Sequence, residues 1–503
     1  MIQSNSGAVL TARPVAGSVP NSRHWKPSLW IWVPFVWLFF ASTRTLSSWM
    51  SWNQWASAAN VGDSSGSLVD QLLMGTLIAL GVYVLGSRAG QARQILARNK
   101  WVVVLFVYMA FSIMWSNFPG ISLRRCIRSM GALVMVLVVL TESSPLEAVR
   151  ALLQRLYLVH IPLSAAAIKY VRNIGVIYNW NGTEEEWTGI SADKNSLGQV
   201  AMCSGLFLIW QLLQDWPKKN LKRNWKKLGL NVLLLILTLW LLRGSKTIHS
   251  SAAILGFVMC AVLLLGLQFI KKRAAKAKSY VVAGIIVLSL LAPLAYAVFD
   301  AFNTTPAEVV VHATGRNMTL TDRTLLWTDL LDNAAKNPVL GVGIGAFWVG
   351  PIGYEMYPLP NWSLKTPQWR PEEGHNGFLD VYVELGGIGV VLLLGVIGAG
   401  LAGAISDLHN DFQLGSLRLV LLVAILTNNV AETSFLKGTH DLWFLFLLAA
   451  VNLPRPKKGL VPKGAPPVPE YAGQLKSNSN TLVNSRDFSK LTAFSGEVMS
   501  ELA

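Results

Sequence analysis

Residues 248–270 read IHSSAAILGFVMCAVLLLGLQFI, and Lys271, Lys272 and Arg273 follow at once. No Asp, Glu, Lys or Arg interrupts the run. About 20 apolar residues cross a bilayer as a helix, whereas a barrel strand needs only about 10. Helices and closed barrels are the only structures that satisfy every backbone group in lipid. This stretch is too long for a barrel strand, so it reads as a membrane helix. Working outward from it, similar segments occur at 28–46, 68–86, 101–115, 127–141, 151–171, 196–213 and 228–242 before it, and at 279–300, 378–404, 417–434 and 440–453 after it. The expected fold is all-α and polytopic, with about 12 transmembrane helices.

Composition agrees. Of 503 residues, 52% are hydrophobic and 14% charged, against about 25% charged in soluble chains. The net charge of +16 does not point to nucleic acid, because the basic residues occupy short loops between apolar runs. Four basic stretches lie in 87–100, 214–227, 271–278 and after Leu453. With twelve spans all four fall on the side of the N-terminus, which puts both termini in the cytoplasm. The polar residues 1–27 read as a cytoplasmic tail, 28–453 as the membrane domain, and 454–503 as a disordered cytoplasmic tail rich in Pro, Ser and Asn. Cys126, Cys203 and Cys260 have neither metal-ligand nor disulfide spacing and read as core fillers.

The opposite side carries the unusual residues. A long loop, 301–375, contains a helical pattern at 322–336, where Leu326, Trp327, Leu330, Leu331 and Ala334 share one face. Thr321 is placed to cap it and Pro338 follows its end, so an interfacial helix is expected there. Basic residues on this side break the positive-inside pattern: Arg124 and Arg125, Lys194, Arg243 and Lys246, then Arg316, Arg323, Lys336, Lys365 and Arg370. Singly, each is a snorkelling side chain; together they suggest an anionic substrate, since guanidinium forks match phosphate oxygens. His375 stands in Glu372-Glu373-Gly374-His375-Asn376-Gly377 on the same side. A neutral imidazole there suits a general base or an orienter of a hydroxyl. Gly341, Gly343 and Gly345 lack a nucleotide-loop fingerprint and read as a tight turn. The chain shows no Walker motif, zinc-protease His pair or nucleophile elbow.

Three motifs in order resemble the O-antigen ligase and polymerase superfamily of bacterial envelope enzymes. Leu242-Arg243-Gly244-Ser245-Lys246-Thr247 is similar to that family's turn between two spans. Asp322-Arg323-Thr324-Leu325-Leu326-Trp327, continuing to Asn337-Pro338-Val339-Leu340-Gly341-Val342-Gly343, resembles its Arg-containing helix and the turn after it. Gly374-His375-Asn376-Gly377, followed by Glu384-Leu385-Gly386-Gly387-Ile388-Gly389, resembles its His-Asn signature. Upstream, Trp115-Ser116-Asn117-Phe118-Pro119 with Arg124 and Arg125, and Asp193-Lys194-Asn195-Ser196-Leu197-Gly198, look like the exopolysaccharide-polymerase branch. Lys246 stands where the ligases usually have Arg, and Asp322 where Gly is usual.

The resemblance implies a metal-independent, cofactor-free glycosyltransferase of the multi-span C type in the bacterial inner membrane, acting on the periplasmic face. The donor would be an undecaprenyl-diphosphate-linked glycan, and the acceptor a second lipid-linked glycan. The alternatives are a ligase transferring glycan to lipid A core and, from another class, a flippase or transporter of lipid-linked oligosaccharide. His375 would be catalytic. Arg323, Lys246, Arg243, Lys194, Arg124 and Arg125 would bind diphosphate, with Asn376, Trp327 and Glu384 in support. A flippase and a chain-length regulator are the expected protein partners, within the lipid bilayer and without nucleic acid.

Overall fold

The computed structural model describes residues 27–51, 67–178, 184–215, 225–246, 248–271, 320–365 and 371–454. The expected span 279–300, the tails, Arg316, Arg370 and much of the basic loops and of 301–375 lie outside the described residues. The protein is helical: α1 Trp32–Ser42, α2 Leu46–Met50, α3 Leu68–Ser87, α4 Ala89–Arg98, α5 Lys100–Ser112, α6 Pro119–Leu140, α7 Pro145–Tyr170, α8 Arg172–Gly175, α9 Lys194–Asp215, α10 Trp225–Arg243 and α11 Ser251–Ile270. After these come α12 Leu320–Ala334, α13 Gly350–Met356, α14 Pro360–Lys365, α15 Gly377–Asn410, α16 Phe412–Asn428 and α17 Asp441–Ala450. A short antiparallel hairpin, β1 Val176–Tyr178 and β2 Glu185–Trp187, pairs Val176 with Trp187.

Among the described residues six helices are long and apolar enough to cross a membrane, or seven if the bent pair α4 and α5 counts as one span. The chain is a multi-pass membrane protein. Several boundaries differ from the expected ones. The stretch read as a loop at 87–100 is mostly helix α4, set at 93° to the helix that follows. Its Ala92 and Ile95 are buried and Arg93, Arg98 and Lys100 exposed. The stretch 405–416 is likewise helical apart from Asp411, whose side chain caps α16. Arg124 and Arg125 sit inside α6 rather than in a loop before a span.

α16 and α17 form the centre: Gly415–Asn428 and Asp441–Ala450 are buried throughout. At 17 and 10 residues these helices extend about 26 and 15 Å, short of the ~30 Å hydrocarbon thickness. The connection 429–440 between them is non-helical and largely buried, as lipid requires of irregular backbone.

α15 is also interrupted. Gly386 takes φ 63° and ψ −168° inside it. The freed backbone groups are met by the glycine turn: Gly387 N–H donates to Pro338 O at 2.8 Å, Val342 N–H to Val383 O at 3.0 Å and Gly343 N–H to Glu384 O at 2.8 Å. The turn itself needs positive φ at Gly341, Gly343 and Gly345, conformations open to glycine without steric cost. α12 begins at Leu320, so Thr321 falls within the helix. Its Leu326, Leu330 and Ala334 pack against Val342, Phe347, Tyr357 and Trp362. This face is therefore covered by protein rather than laid on a membrane surface.

Candidate active site

Four helix ends converge on Glu432, and a fifth packs beside them. α15 starts beside the end of α16, because Gly377 N–H donates to Asn429 O (2.8 Å) and Glu432 O (3.1 Å). A Cβ on Gly377 would stand 2.2 Å from Asn429 Oδ1, so only glycine allows this approach. α9 starts at the same place: Asn195 Nδ2 donates to Glu432 Oε1 at 3.1 Å. α11 starts against α9, with Ser250 filling the space over Gly198. α12 delivers Arg323, whose Nη2 lies 3.0 Å from Glu432 Oε1 and whose Nη1 donates to Ala431 O.

His375 meets the same carboxylate from the other side. Its Nδ1 is 3.1 Å from Glu432 Oε2 and 3.3 Å from Glu373 Oε1. Glu373 in turn is ion-paired with Lys437. The result is a row of alternating charge: Lys437, Glu373, His375, Glu432, Arg323. The backbone around His375 is fixed. Trp327 Nε1 donates to Gly374 O at 2.9 Å, and Gly374 N–H donates to Asp380 at 3.1 Å. Asn376 Oδ1 caps α15 by accepting from Phe378 N–H and Leu379 N–H at 3.1 and 3.2 Å. These bonds hold His375 at φ 48°, a left-handed conformation rare outside glycine and tolerated where surroundings over-determine it.

Burial works against a charged His375, but the hydrogen bonds and charges of Glu373 and Glu432 outweigh it and raise its pKa from 6.5 to about 9. The imidazole is therefore protonated at neutral pH, a correction to the neutral ring expected from sequence. Burial likewise opposes ionisation of Glu373, yet Lys437 and His375 hold its carboxyl far below the usual range. Lys437 is half-buried, which disfavours its charge, but Glu373 and Asp380 keep its pKa above the ordinary value.

Not every expected residue joins this group. Lys194 is adjacent, paired with Glu186 at 2.9 Å. Arg125 is committed elsewhere: it donates to Gly345 O (2.8 Å) and Trp348 O (2.7 Å), tying α6 to the glycine turn. It therefore lies in the cluster around the glycine turn and not in the charge row around Glu432. Glu384 accepts from Gly345 N–H at 2.8 Å, in that second cluster. Arg243 and Lys246 are exposed at the end of α10 and in the turn after it. Ser245 closes that turn by accepting from Ile248 N–H at 3.0 Å. Glu432 itself escaped the sequence reading because it was absorbed into the apolar segment 417–434. A carboxylate at the end of such a run was the available signal.

Glu373, His375 and Glu432 place one ligand atom each within 4.8 Å of one another, the spacing of a metal triad. Arg323 and Lys437 already neutralise the two carboxylates, and His375 carries charge of its own. A cation bound there would compete with the Arg323 and Lys437 pairings and with the proton on His375.

The family model described as O-antigen ligase matches residues 232–394, which include Arg243, Lys246, Arg323, His375 and Glu384. The exopolysaccharide production protein ExoQ of Rhizobium meliloti (strain 1021) is 24% identical over 386 residues, covering 73% of this chain and 81% of that protein. The chain thus resembles the O-antigen ligase and polymerase superfamily on its exopolysaccharide side.

Proposed function

We propose that the protein is a metal-independent glycosyltransferase that joins undecaprenyl-diphosphate-linked glycan repeat units, at the end of the bundle where His375 lies. The observation that carries this is the shared grip of Glu432 on Arg323 and His375. Two cations are thereby held side by side with no reorganisation needed. In the reaction the bond from the anomeric carbon to the donor diphosphate breaks, and a bond to the acceptor hydroxyl oxygen forms. The hydroxyl proton leaves on the released diphosphate. Negative charge grows on that leaving group, and preorganised donors in a water-poor site stabilise it. Arg323, held by Glu432 and Ala431 O, supplies positive charge and its remaining N–H groups to the oxygens of that leaving group. His375, protonated and turned by Glu432, supplies a second charge and orients the hydroxyl. The energy lies in the diphosphate linkage, so no nucleotide is required. The exopolysaccharide relative and the Lys246 variant favour polymer growth over transfer to lipid A core.

The test uses purified protein with lipid-linked oligosaccharide extracted from the producing cells. Arg323→Ala and His375→Ala should each slow transfer at least about a hundredfold, the order expected for a lost electrostatic or acid–base group. Both should remain folded in the membrane, and a chelator should leave wild-type turnover intact. Normal turnover by folded His375→Ala protein would remove His375 from the reaction. Loss of activity on chelation would overturn metal independence.

A further inference from the structure

Among the described residues only two that are not glycine hold a positive φ: His375, at 48°, and Leu436, at 62°. Left-handed backbone is unfavourable for a residue with a Cβ and persists where its surroundings over-determine it, which is why it gathers at functional sites. The residue after Leu436 is Lys437, and its ion pair with Glu373 leads directly to His375. The two strained points of the backbone are thus the two ends of one chain of contacts.

The strain at Leu436 is held from α6. Ser129 Oγ donates to Leu436 O, and Gly438 lies so close to α6 that a Cβ would stand 2.3 Å from the carbonyl carbon of Arg128. On the other side Phe435 packs edge-on against Phe378 in the first turn of α15, with ring centroids 5.3 Å apart. Residues 435–438 are therefore pinned between α6 and α15, and Lys437 is delivered to a fixed place.

Glu373 divides its oxygens. Oε2 is paired with Lys437, and Oε1 lies 3.3 Å from His375 Nδ1. Glu432 Oε2 meets the same nitrogen at 3.1 Å, with Arg323 behind it. Both carboxylates thus address Nδ1, which leaves Nε2 for the substrate. Lys437 is also faced by Asp380 and Glu384. Asp380 accepts from Gly374 N–H at 3.1 Å and from Trp348 Nε1 at 3.0 Å, so Lys437 neutralises the carboxylates that hold both the ring of His375 and the backbone before it.

We propose that Lys437 is a positioning residue for the transfer reaction: it fixes Glu373, Glu373 fixes the ring of His375, and the strained turn at Leu436 delivers the ammonium to that place. This rests on the proposed reading of His375 as the working group. Lys437 stands to Glu373 as Arg323 stands to Glu432, but it acts through its carboxylate and touches no substrate.

The experiment measures kcat/KM of purified protein with lipid-linked oligosaccharide from pH 6 to 10, together with melting temperature. Lys437→Met should slow transfer at least about tenfold, the effect of a misplaced reacting group. It should also move the inflection of His375 to higher pH, because a neighbouring positive charge is gone. Glu373→Gln should slow transfer by a similar factor and move the inflection the other way, because a carboxylate is lost. The double variant should be no slower than the worse single one, since both act through one contact. Lys437→Arg, which keeps the charge, should recover most of the rate. A residue that only closes the loop would lower the melting temperature and leave the rate and the inflection of the folded enzyme unchanged; that result overturns the proposal. If Lys437→Met does not fold because buried carboxylates lose their cation, Lys437→Met/Glu373→Gln must match Glu373→Gln alone, and a further multiplicative loss overturns the proposal. Normal transfer by folded His375→Ala protein removes the proposed function and this role with it. Slow transfer by His375→Ala beside normal transfer by Lys437→Met removes this role alone.

Discussion

Raising the pH from 6 to 10 takes the proton off His375 and leaves Glu373 and Glu432 facing each other across an uncharged ring. The folded pKa, about 9, lies above the ordinary 6.5. Its contribution to stability is therefore fully present below about 6.5 and lost as pH rises through about 9. The shift corresponds to about 3 kcal/mol. Turnover should follow the same curve if the imidazolium is the working form, holding through neutrality and falling near pH 9. A rate that rises through pH 9 would mean that the neutral ring acts as base. Glu432→Gln separates the partners. It should lower the inflection and slow transfer about a hundredfold, as read from the pH dependence of kcat/KM. An unchanged inflection would deny Glu432 its hold on His375.

At the scale of elements, the interruption of α15 and the glycine turn are one construction. A Cβ on Gly386 would stand 2.2 Å from Val339 O, and its φ and ψ belong to a region reserved for glycine. Gly386→Ala should lower thermal stability by about 2–3 kcal/mol and slow transfer in step, because the turn positions Gly345 against Arg125 and Glu384. Gly398→Ala in the same helix meets nothing within 4 Å and should be neutral or slightly stabilising; calorimetry in detergent distinguishes the two. The apolar runs announced the helices because lipid leaves little alternative, and the turn was legible from its glycines. The interruption was not: Glu384-Leu385-Gly386-Gly387 has the hydropathy of an ordinary span, and only the approach of 338–343 makes it break. The same blindness hid the buried connection 429–440, where Glu432 sits. Composition also could not show that Arg125 turns inward to backbone carbonyls while Arg124, one residue earlier, does not.

Across the whole molecule the end away from His375 is also tied. Asn99 Nδ2 donates to Asn452 O at 2.9 Å, and Asn452 N–H donates back to Asn99 Oδ1 at 2.8 Å. Arg418 joins Asp407 and donates to Ala449 O at 2.8 Å. The orientation of that bundle rests on loop charge. Reporter fusions after Lys278 and Lys458 should read cytoplasmic, and fusions near Glu185 and Lys365 periplasmic, for twelve spans with both ends inside. A cytoplasmic signal at Lys365 would put the site on the wrong face and end the proposed periplasmic reaction.

The grip of Glu432 has a consequence in time. Its partners are made well before it: Asn195 precedes it by 237 residues and Arg323 by 109. At about 5–20 residues per second, Asn195 waits on the order of 10–50 s for its acceptor to be synthesised. Until the ribosome has passed the end of α16, the charge row has no centre. A nascent or prematurely terminated chain therefore carries Arg323 and His375 without the carboxylate that joins them. The proposed pairing of Arg323 with His375 thus forms only once the residues beyond α16 are made.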